Sequence, residues 1–129
     1  EAEKINQKRL AIWNFYHRKL AALARQGAVE QPYVPDYAVH NAHMYYLKVK
    51  DLDTRTRLLA WLNERGILSV FHYVPLHSSA AGLRFGRFHG EDVYTTRESE
   101  RIFRLPMYYS LTLDEAAAVV KALYEFDQY

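Results

Sequence analysis

Residues 71–82, FHYVPLHSSAAG, carry the densest group of side chains in this sequence that could do chemistry. His72, Tyr73 and His77 flank Pro75, directly after the apolar run ILSVF. Imidazole and phenol groups exchange hydrogen bonds readily, so they could bind a sugar, a phosphate or a carboxylate. Loops that leave a rigid sheet are where ligand contacts concentrate. We therefore treat these three rings as candidate ligand contacts, with hydrogen-bonded structural groups as the plainer alternative.

A metal site is another use for the six histidines of the chain. His40 and His43 are three residues apart, and His72 and His77 are five apart. Neither spacing aims two rings of one helix at a single ion, and Pro75 forbids a helix through the second pair. The chain has no cysteine, which excludes disulfides and thiolate metal sites. A metal site would therefore require the four histidines to converge in space.

Three other chemistries have partial signals. Ser78 or Ser79 could be a nucleophile beside His77, but the sequence has no G-x-S-x-G turn. The loop GLRFGRFHG could hold an anion with its arginines, although its spacing matches no Walker or dinucleotide loop. The first 25 residues are rich in lysine and arginine, but glutamates dilute them and the formal net charge is only +2. We expect no nucleic-acid partner.

Length and composition describe one small domain. The chain has 129 residues, of which 50% are hydrophobic and 25% are charged, as is typical of soluble globular proteins. No apolar run is long enough to span a bilayer or to serve as a secretory signal. We therefore expect a cytoplasmic protein without a membrane partner.

Periodicity and capping signals indicate the elements that must position the candidate side chains. A first helix runs from near the N-terminus to about Gly27, a common helix-ending residue. Residues 43–49, HMYYLKV, are rich in strand formers, and Asp51 or Asp53 can cap a helix that Gly66 ends. The first helix carries one apolar stripe, made of Ile5, Ile12, Tyr16, Leu20 and Leu23.

The second half of the chain alternates extended pieces with helices. Residues 67–71 are predicted to form a short buried strand, and a long irregular segment follows. Thr95 with Glu98 can form a capping box for a helix to about Phe103, and Leu105–Pro106 begins a third extended piece. The last helix has a second capping box and an apolar face, formed by Thr112 and Glu115 and by Ala116, Val119, Val120, Leu123 and Phe126.

This order of elements predicts an α+β fold, a small three-stranded sheet covered by helices. The long first helix has no capping signal before it, so we expect it to be cut from a larger protein. Residues 1–28 are then a linking helix from a missing large domain, and residues 29–129 are a small domain.

Four stretches resemble, in chain order, the C-terminal part of the StrS/DegT family of sugar-nucleotide aminotransferases: QKRLAIWNFYHRKLAAL, HNAHMYYLKV, RTRLLAWLNERGILSVFHYVPLHSSAAG and SERIFRLPMYYSLTLDEAAAVVKAL. The likeness runs from Ile5 to Phe126. Its most specific parts are the Gly-Ile strand that leads to His-Tyr-x-x-x-His, and a Leu-Pro followed by a Leu-Thr helix start. The resemblance implies the small C-terminal domain of a fold-type I, pyridoxal-phosphate-dependent enzyme, with a mainly antiparallel sheet.

The resemblance also implies a reaction for the parent enzyme. It would transfer an amino group from glutamate to C4 of a dTDP-4-keto-6-deoxyhexose, in the biosynthesis of a bacterial surface polysaccharide, the enterobacterial common antigen. Such enzymes hold pyridoxal 5'-phosphate as a Schiff base on a lysine of the large domain, in a Ser-Phe-His-x-x-Lys-like stretch that this sequence lacks. We therefore expect no catalytic or cofactor-binding residue in this chain, which would be inactive alone. The parent is expected to be a homodimer or a higher homo-oligomer.

By motif match, His72, Tyr73 and His77 would contact the sugar nucleotide or the donor carboxylate. Asn41 and His43 are added because they begin a strand that is expected to face the same cleft. Arg104 stands where the broader family often has a small residue, and it is a candidate anion partner. The segment SSAAG after the second histidine replaces a bulkier, more polar continuation.

Two other functions stay open. The chain could be a non-catalytic binding or assembly module, in which case the apolar stripe of residues 5–23 would be left bare. It could also be the small domain of an amino-acid-specific pyridoxal phosphate enzyme, which an arginine placed as a carboxylate clamp near Leu105 would favour.

Overall fold

The computed structural model describes residues 1–127 and 129. In the described residues, five α-helices surround one three-stranded sheet. The elements in chain order are α1 (Ala2–Arg25), β1 (Tyr45–Lys48), α2 (Leu52–Glu64), β2 (Val70–Phe71), α3 (Ala80–Phe85), α4 (Thr95–Arg101), β3 (Ile102–Leu105) and α5 (Leu113–Tyr124). The predicted α+β class is confirmed. Among the described residues, no helix combines the length and the apolar character that crossing a membrane requires.

Helix α1 packs one face into the core of the domain, against α5. Its buried residues are Ile12, Trp13, Tyr16, Leu20 and Leu23, which confirms most of the predicted stripe. Ile5 is only half-buried. Tyr16 donates its hydroxyl to the carbonyl of Pro106 at 3.1 Å, so the helix is also tied to the end of β3. The helix and the sheet therefore share one hydrophobic core.

The sheet has the order β1-β3-β2, with both pairs antiparallel. Tyr45 of β1 lies opposite Leu105, and Val70 of β2 lies opposite Arg104. Side chains of β1 alternate between buried and half-buried, as the sequence pattern predicts. Because β3 is hydrogen-bonded to both other strands, it sets the positions of the ends of β1 and β2.

Two strand predictions are wrong in detail. Only Val70 and Phe71 of the predicted strand 67–71 pair in the sheet, and both are exposed rather than buried. In the described residues β2 pairs with β3 alone, and neither of its two side chains joins the hydrophobic core. The third strand ends, rather than begins, at Leu105–Pro106. Proline has no N–H to donate to a ladder, and β3 is the strand that must bond on both sides.

Two helix predictions also need correction. Thr95 does not cap α4; it is the first helical residue, and Asp92 instead accepts from the backbone N–H of Thr96 at 3.3 Å. The segment predicted to be irregular contains α3, which is capped by Ser79. The serine Oγ accepts from the N–H of Gly82 at 3.0 Å, a local capping signal that the sequence analysis missed.

The other two predicted caps are confirmed. Asp51 accepts from the backbone N–H of Thr54 at 2.8 Å and begins α2. Thr112 and Glu115 form the reciprocal capping box of α5. The predicted apolar face of α5 is buried, including Phe126 just beyond its end. These local signals set the boundaries of both helices that cover the sheet.

Candidate functional site

Three of the predicted site residues meet where β2 ends. The rings of His72 and Tyr73 touch edge to face, with 4.5 Å between their centres. The guanidinium carbon of Arg104 lies 6.0 Å from the centre of the Tyr73 ring. Arg104 lies on β3 directly opposite Val70 of β2. His72 comes two residues after Val70, so His72 and Arg104 are on the same face of the sheet.

This cluster contains two polar atoms that are buried without a hydrogen-bond partner among the described residues. They are Nδ1 of His72 and Nε of Arg104. Burial, and next the positive charge of Arg104, lower the pKa of His72 and so favour its neutral form. Buried polar groups in proteins are nearly always satisfied. The cluster therefore offers a neutral imidazole and a guanidinium to a polar partner.

His77 belongs to a second cluster, beyond the turn at Pro75. Its Nε2 atom lies 2.8 Å from Oδ2 of Asp92, and both side chains are about one-fifth exposed. The ring of Phe88 packs against the imidazole, with 4.5 Å between the ring centres. His77 lines an open groove of about 540 Å³, together with Leu76 and with residues of α3 and of the loop after it, namely Ala81, Gly82, Phe85, Gly86, Arg87, Phe88 and His89.

Asp92 is a member of this second cluster that the sequence analysis missed. Its carboxylate accepts from the hydroxyl of Thr96 at 2.5 Å as well as from the backbone N–H of that residue. These bonds, the hydroxyl bond first and the contact with His77 after it, lower the pKa of Asp92. Asp92 stands two residues before Tyr94, the N-cap position of α4, so the usual capping signal does not identify it. Its pairing with a histidine fifteen residues earlier has no local signal.

Asn41 and His43 lie apart from both clusters. Oδ1 of Asn41 accepts from the backbone N–H of His43 at 3.2 Å, and both side chains are exposed. These residues precede β1, whose start lies at the carboxyl end of β3, whereas His72 follows β2 near the amino end of β3. In the described part of the chain, this pair therefore lies at the opposite end of the sheet from the candidate rings.

The alternative chemistries find little support in the geometry. Within residues 1–127 and 129, no three histidine, aspartate or glutamate side chains are placed to share a metal ion. The hydroxyl of Ser78 donates to the carbonyl of Pro75 at 3.2 Å. The hydroxyl of Ser79 donates to the carbonyl of Leu76 at 2.7 Å and caps α3. Both serines therefore serve the local fold, and neither is bonded to His77 in the described structure.

The fold has the shape of a small domain that recurs in solved aminotransferases. DesV of S. venezuelae matches it with a TM-score of 0.79 at 23% identity, over 95% of this chain and 32% of that one. At such low identity the match shows the fold alone. NtdA from Bacillus subtilis, solved with bound cofactor PMP, matches with a TM-score of 0.78 at 28% identity, over 92% of this chain and 27% of that one.

The sequence comparison names the family. A profile of the DegT/DnrJ/EryC1/StrS aminotransferase family matches residues 1–124, and the chain therefore belongs to this family. A curated relative, the 3-oxo-glucose-6-phosphate:glutamate aminotransferase of Bacillus subtilis (strain 168), is 30% identical over 122 residues. The match covers 92% of this chain and 27% of the relative. The chain thus spans about a quarter of the length of a family member.

Proposed function

We propose that this chain is the small C-terminal domain of a pyridoxal-phosphate-dependent sugar aminotransferase. The full enzyme would transfer an amino group from glutamate to C4 of a dTDP-4-keto-6-deoxyhexose, in cytoplasmic steps of bacterial common-antigen biosynthesis. The product would be dTDP-4-amino-4,6-dideoxygalactose. In this proposal, residues 1–28 link the domain to a large domain, and residues 29–129 form the small one.

The family match over residues 1–124 is the observation that carries the proposal. Two further facts support its finer parts. The Bacillus relative is named as a glutamate-dependent aminotransferase of a keto sugar phosphate, which supports glutamate as the donor. The choice of sugar rests on the resemblance, in which the SSAAG segment and Arg104 are what we expect of the branch that makes 4-amino-4,6-dideoxygalactose. The domain would therefore contribute specificity, and the large domain would contribute chemistry.

Lys48, one of the six lysines of this chain, does not fit the cofactor's Schiff-base position. A lysine in that role must be able to lose its proton. Lys48, which is three-quarters enclosed, is bonded to Glu98 at 2.9 Å and to Glu30 at 3.2 Å. These contacts, the Glu98 bond first, raise its pKa and keep it charged. The cofactor would be held by a large domain, and the residues of this chain would supply no reacting group.

The role proposed for this chain is to bind substrate groups. His72, Tyr73 and Arg104 would meet an anionic group of the donor or of the nucleotide, because the Arg104 guanidinium can donate to a carboxylate or phosphate. His77 would contact the sugar nucleotide from the groove. Asn41 and His43 remain candidates only if a large domain bridges the two ends of the sheet. The parent would act as a homodimer or a higher homo-oligomer.

The structure bears differently on the two alternative functions. The apolar stripe of α1 is packed on this domain, which removes the feature that favoured a binding or assembly module. The amino-acid-specific enzyme keeps one supporting observation, since Arg104 lies beside Leu105 with a buried, unpartnered Nε in the described structure. A glutamate donor needs a carboxylate partner in either case, so substrate tests must separate the two enzymes.

The full-length protein, purified with pyridoxal phosphate, tests the proposal directly. With glutamate it is expected to aminate dTDP-4-keto-6-deoxyglucose, as detected by the mass of the product, in preference to 3-oxo-glucose 6-phosphate. His77→Ala should lower kcat/KM for the keto sugar by at least about tenfold, the scale of one lost polar contact. Amination of 2-oxo acids alone would favour the amino-acid-specific enzyme. The 129-residue chain is expected to retain no pyridoxal phosphate after desalting.

A further inference from the structure

The neighbours of the His77–Asp92 pair fix which of the two side chains donates the hydrogen bond between them. An ionised carboxylate can only accept hydrogen bonds. Thr96 supports that ionised state, because its backbone N–H and its hydroxyl both donate to Asp92 and help to lower the pKa of the carboxyl group. Nε2 of His77 lies 2.8 Å from Oδ2 of Asp92, the oxygen that also accepts from the Thr96 hydroxyl. Nε2 must therefore carry the proton that joins the pair.

When the His77 ring is neutral, its other nitrogen is then an acceptor. A neutral imidazole carries a proton on one nitrogen only, and the second nitrogen keeps its lone pair. In the described structure, the polar contacts of His77 with Asp92 and Thr96 both use Nε2. Phe88 packs on the ring and restricts its rotation. His77 lines the groove, and we infer that Nδ1 is the ring atom available to a molecule there.

We propose that Asp92 is a positioning residue that holds His77 in its Nε2–H form, so that Nδ1 accepts a hydrogen bond from a hydroxyl group of the sugar ring. Phosphate diester and carboxylate oxygens have no proton to donate to Nδ1 at neutral pH. The pair therefore selects the hydroxyl-bearing part of the substrate rather than the nucleotide phosphates. The hydroxyl assignment rests on the proposed function, whereas the form of the ring does not.

Imidazole ¹⁵N NMR of the wild-type 129-residue chain tests the ring form without any substitution. The spectrum is followed through a pH titration and read where His77 is neutral. We expect an unprotonated Nδ1 resonance and a protonated Nε2 resonance. Asp92→Asn should shift the ring towards a mixture of the two forms, and the asparagine oxygen can still accept a hydrogen bond from Thr96. A predominantly Nδ1–H ring in the wild type, or an Asp92→Asn spectrum identical to the wild-type one, would overturn the inference.

Kinetics of the full-length enzyme test the hydroxyl contact. Asp92→Asn is expected to lower kcat/KM for the keto sugar about tenfold and to leave the glutamate half-reaction unchanged. Asp114→Asn, an aspartate in the first turn of α5, is the matched control and should have no effect. Because Asp92 acts through His77, the double variant His77→Gln/Asp92→Asn should be no slower than His77→Gln alone.

The outcomes separate this inference from the proposed function. Additive losses in the double variant, or equal losses in both half-reactions, would show a general structural role for Asp92 and overturn the inference. A wild-type enzyme that aminates no keto sugar would overturn the proposed function together with the hydroxyl assignment. The ¹⁵N spectra would still decide the ring form in that case.

Discussion

Nζ of Lys48 lies 2.9 Å from Oε2 of Glu98, which joins β1 to α4 across 50 residues of sequence. Arg101 bonds both Glu98 and Glu30, and Lys48 bonds Glu30 at 3.2 Å, so the four side chains form one ion cluster. The contact with Lys48, more than the other contacts, lowers the pKa of Glu98 to about 2. The cluster holds α4 and the residues beside Asp92 against the sheet.

Glu98→Gln should therefore destabilise the domain in a pH-dependent way. The folded pKa of about 2 is below the ordinary value of 4.5, so the carboxylate contributes stability above about pH 4.5. That contribution is lost as the pH falls towards 2. We expect the variant to lose about 1 kcal/mol of unfolding free energy at pH 7 and almost nothing at pH 2, as measured by urea denaturation.

Glu125→Gln is the control for that experiment, because Glu125 pairs with Lys121 at 3.7 Å on the exposed surface of α5. Its effect should stay below about 0.5 kcal/mol at every pH. A Glu98→Gln difference that does not change with pH would contradict the electrostatic account of the cluster.

The two threonines that were predicted to cap helices should differ in their contribution to stability. Thr112→Ala removes the capping box of α5 and should cost about 1 kcal/mol. Thr95→Ala changes an exposed first-turn residue that caps nothing, and should cost less than about 0.5 kcal/mol. Thermal or urea unfolding of both variants measures the difference. Equal costs would mean that the cap at Thr112 contributes no more than an ordinary surface threonine.

Helix α1 should behave as part of the core of the domain. Leu20→Ala deletes a fully buried side chain and should cost about 2–5 kcal/mol. Asn14→Ala, on the exposed side of the same helix, is the matched substitution and should cost little. A small effect of Leu20→Ala on the unfolding free energy would show that α1 is held weakly by this domain.

Arg104→Gln in the full-length enzyme tests the proposed anion contact. A hydrogen bond to a charged group contributes about 1.5–3 kcal/mol, so we expect kcat/KM for glutamate to fall by at least about tenfold. Arg18→Gln, on an exposed part of α1, serves as the control. A loss confined to the sugar half-reaction would instead place the nucleotide at Arg104, and unchanged kinetics would remove this residue from the site.

Much of the fold could be predicted because the signals that begin and end its helices are local. Asp51 and Thr112 cap their helices by accepting from backbone N–H groups three residues further on. Gly66 has no Cβ, so it can adopt its positive φ of 71° without help from distant residues. The same is true of the alternation in β1, which follows from the geometry of a strand with one covered face. The histidine loop was also recognisable, because its residues are neighbours in the chain.

The rest depended on which distant segments pack together. The strand order puts β2 at one side of the sheet, and packing rather than the apolar composition of the segment leaves Val70 and Phe71 outside the hydrophobic core. The same strand order places Asn41 and His43 at the far end of the sheet from His72. Composition and spacing alone therefore established the elements and their caps. The tertiary structure decided which side chains meet, because such contacts form between segments whose separation in the chain carries no local signal.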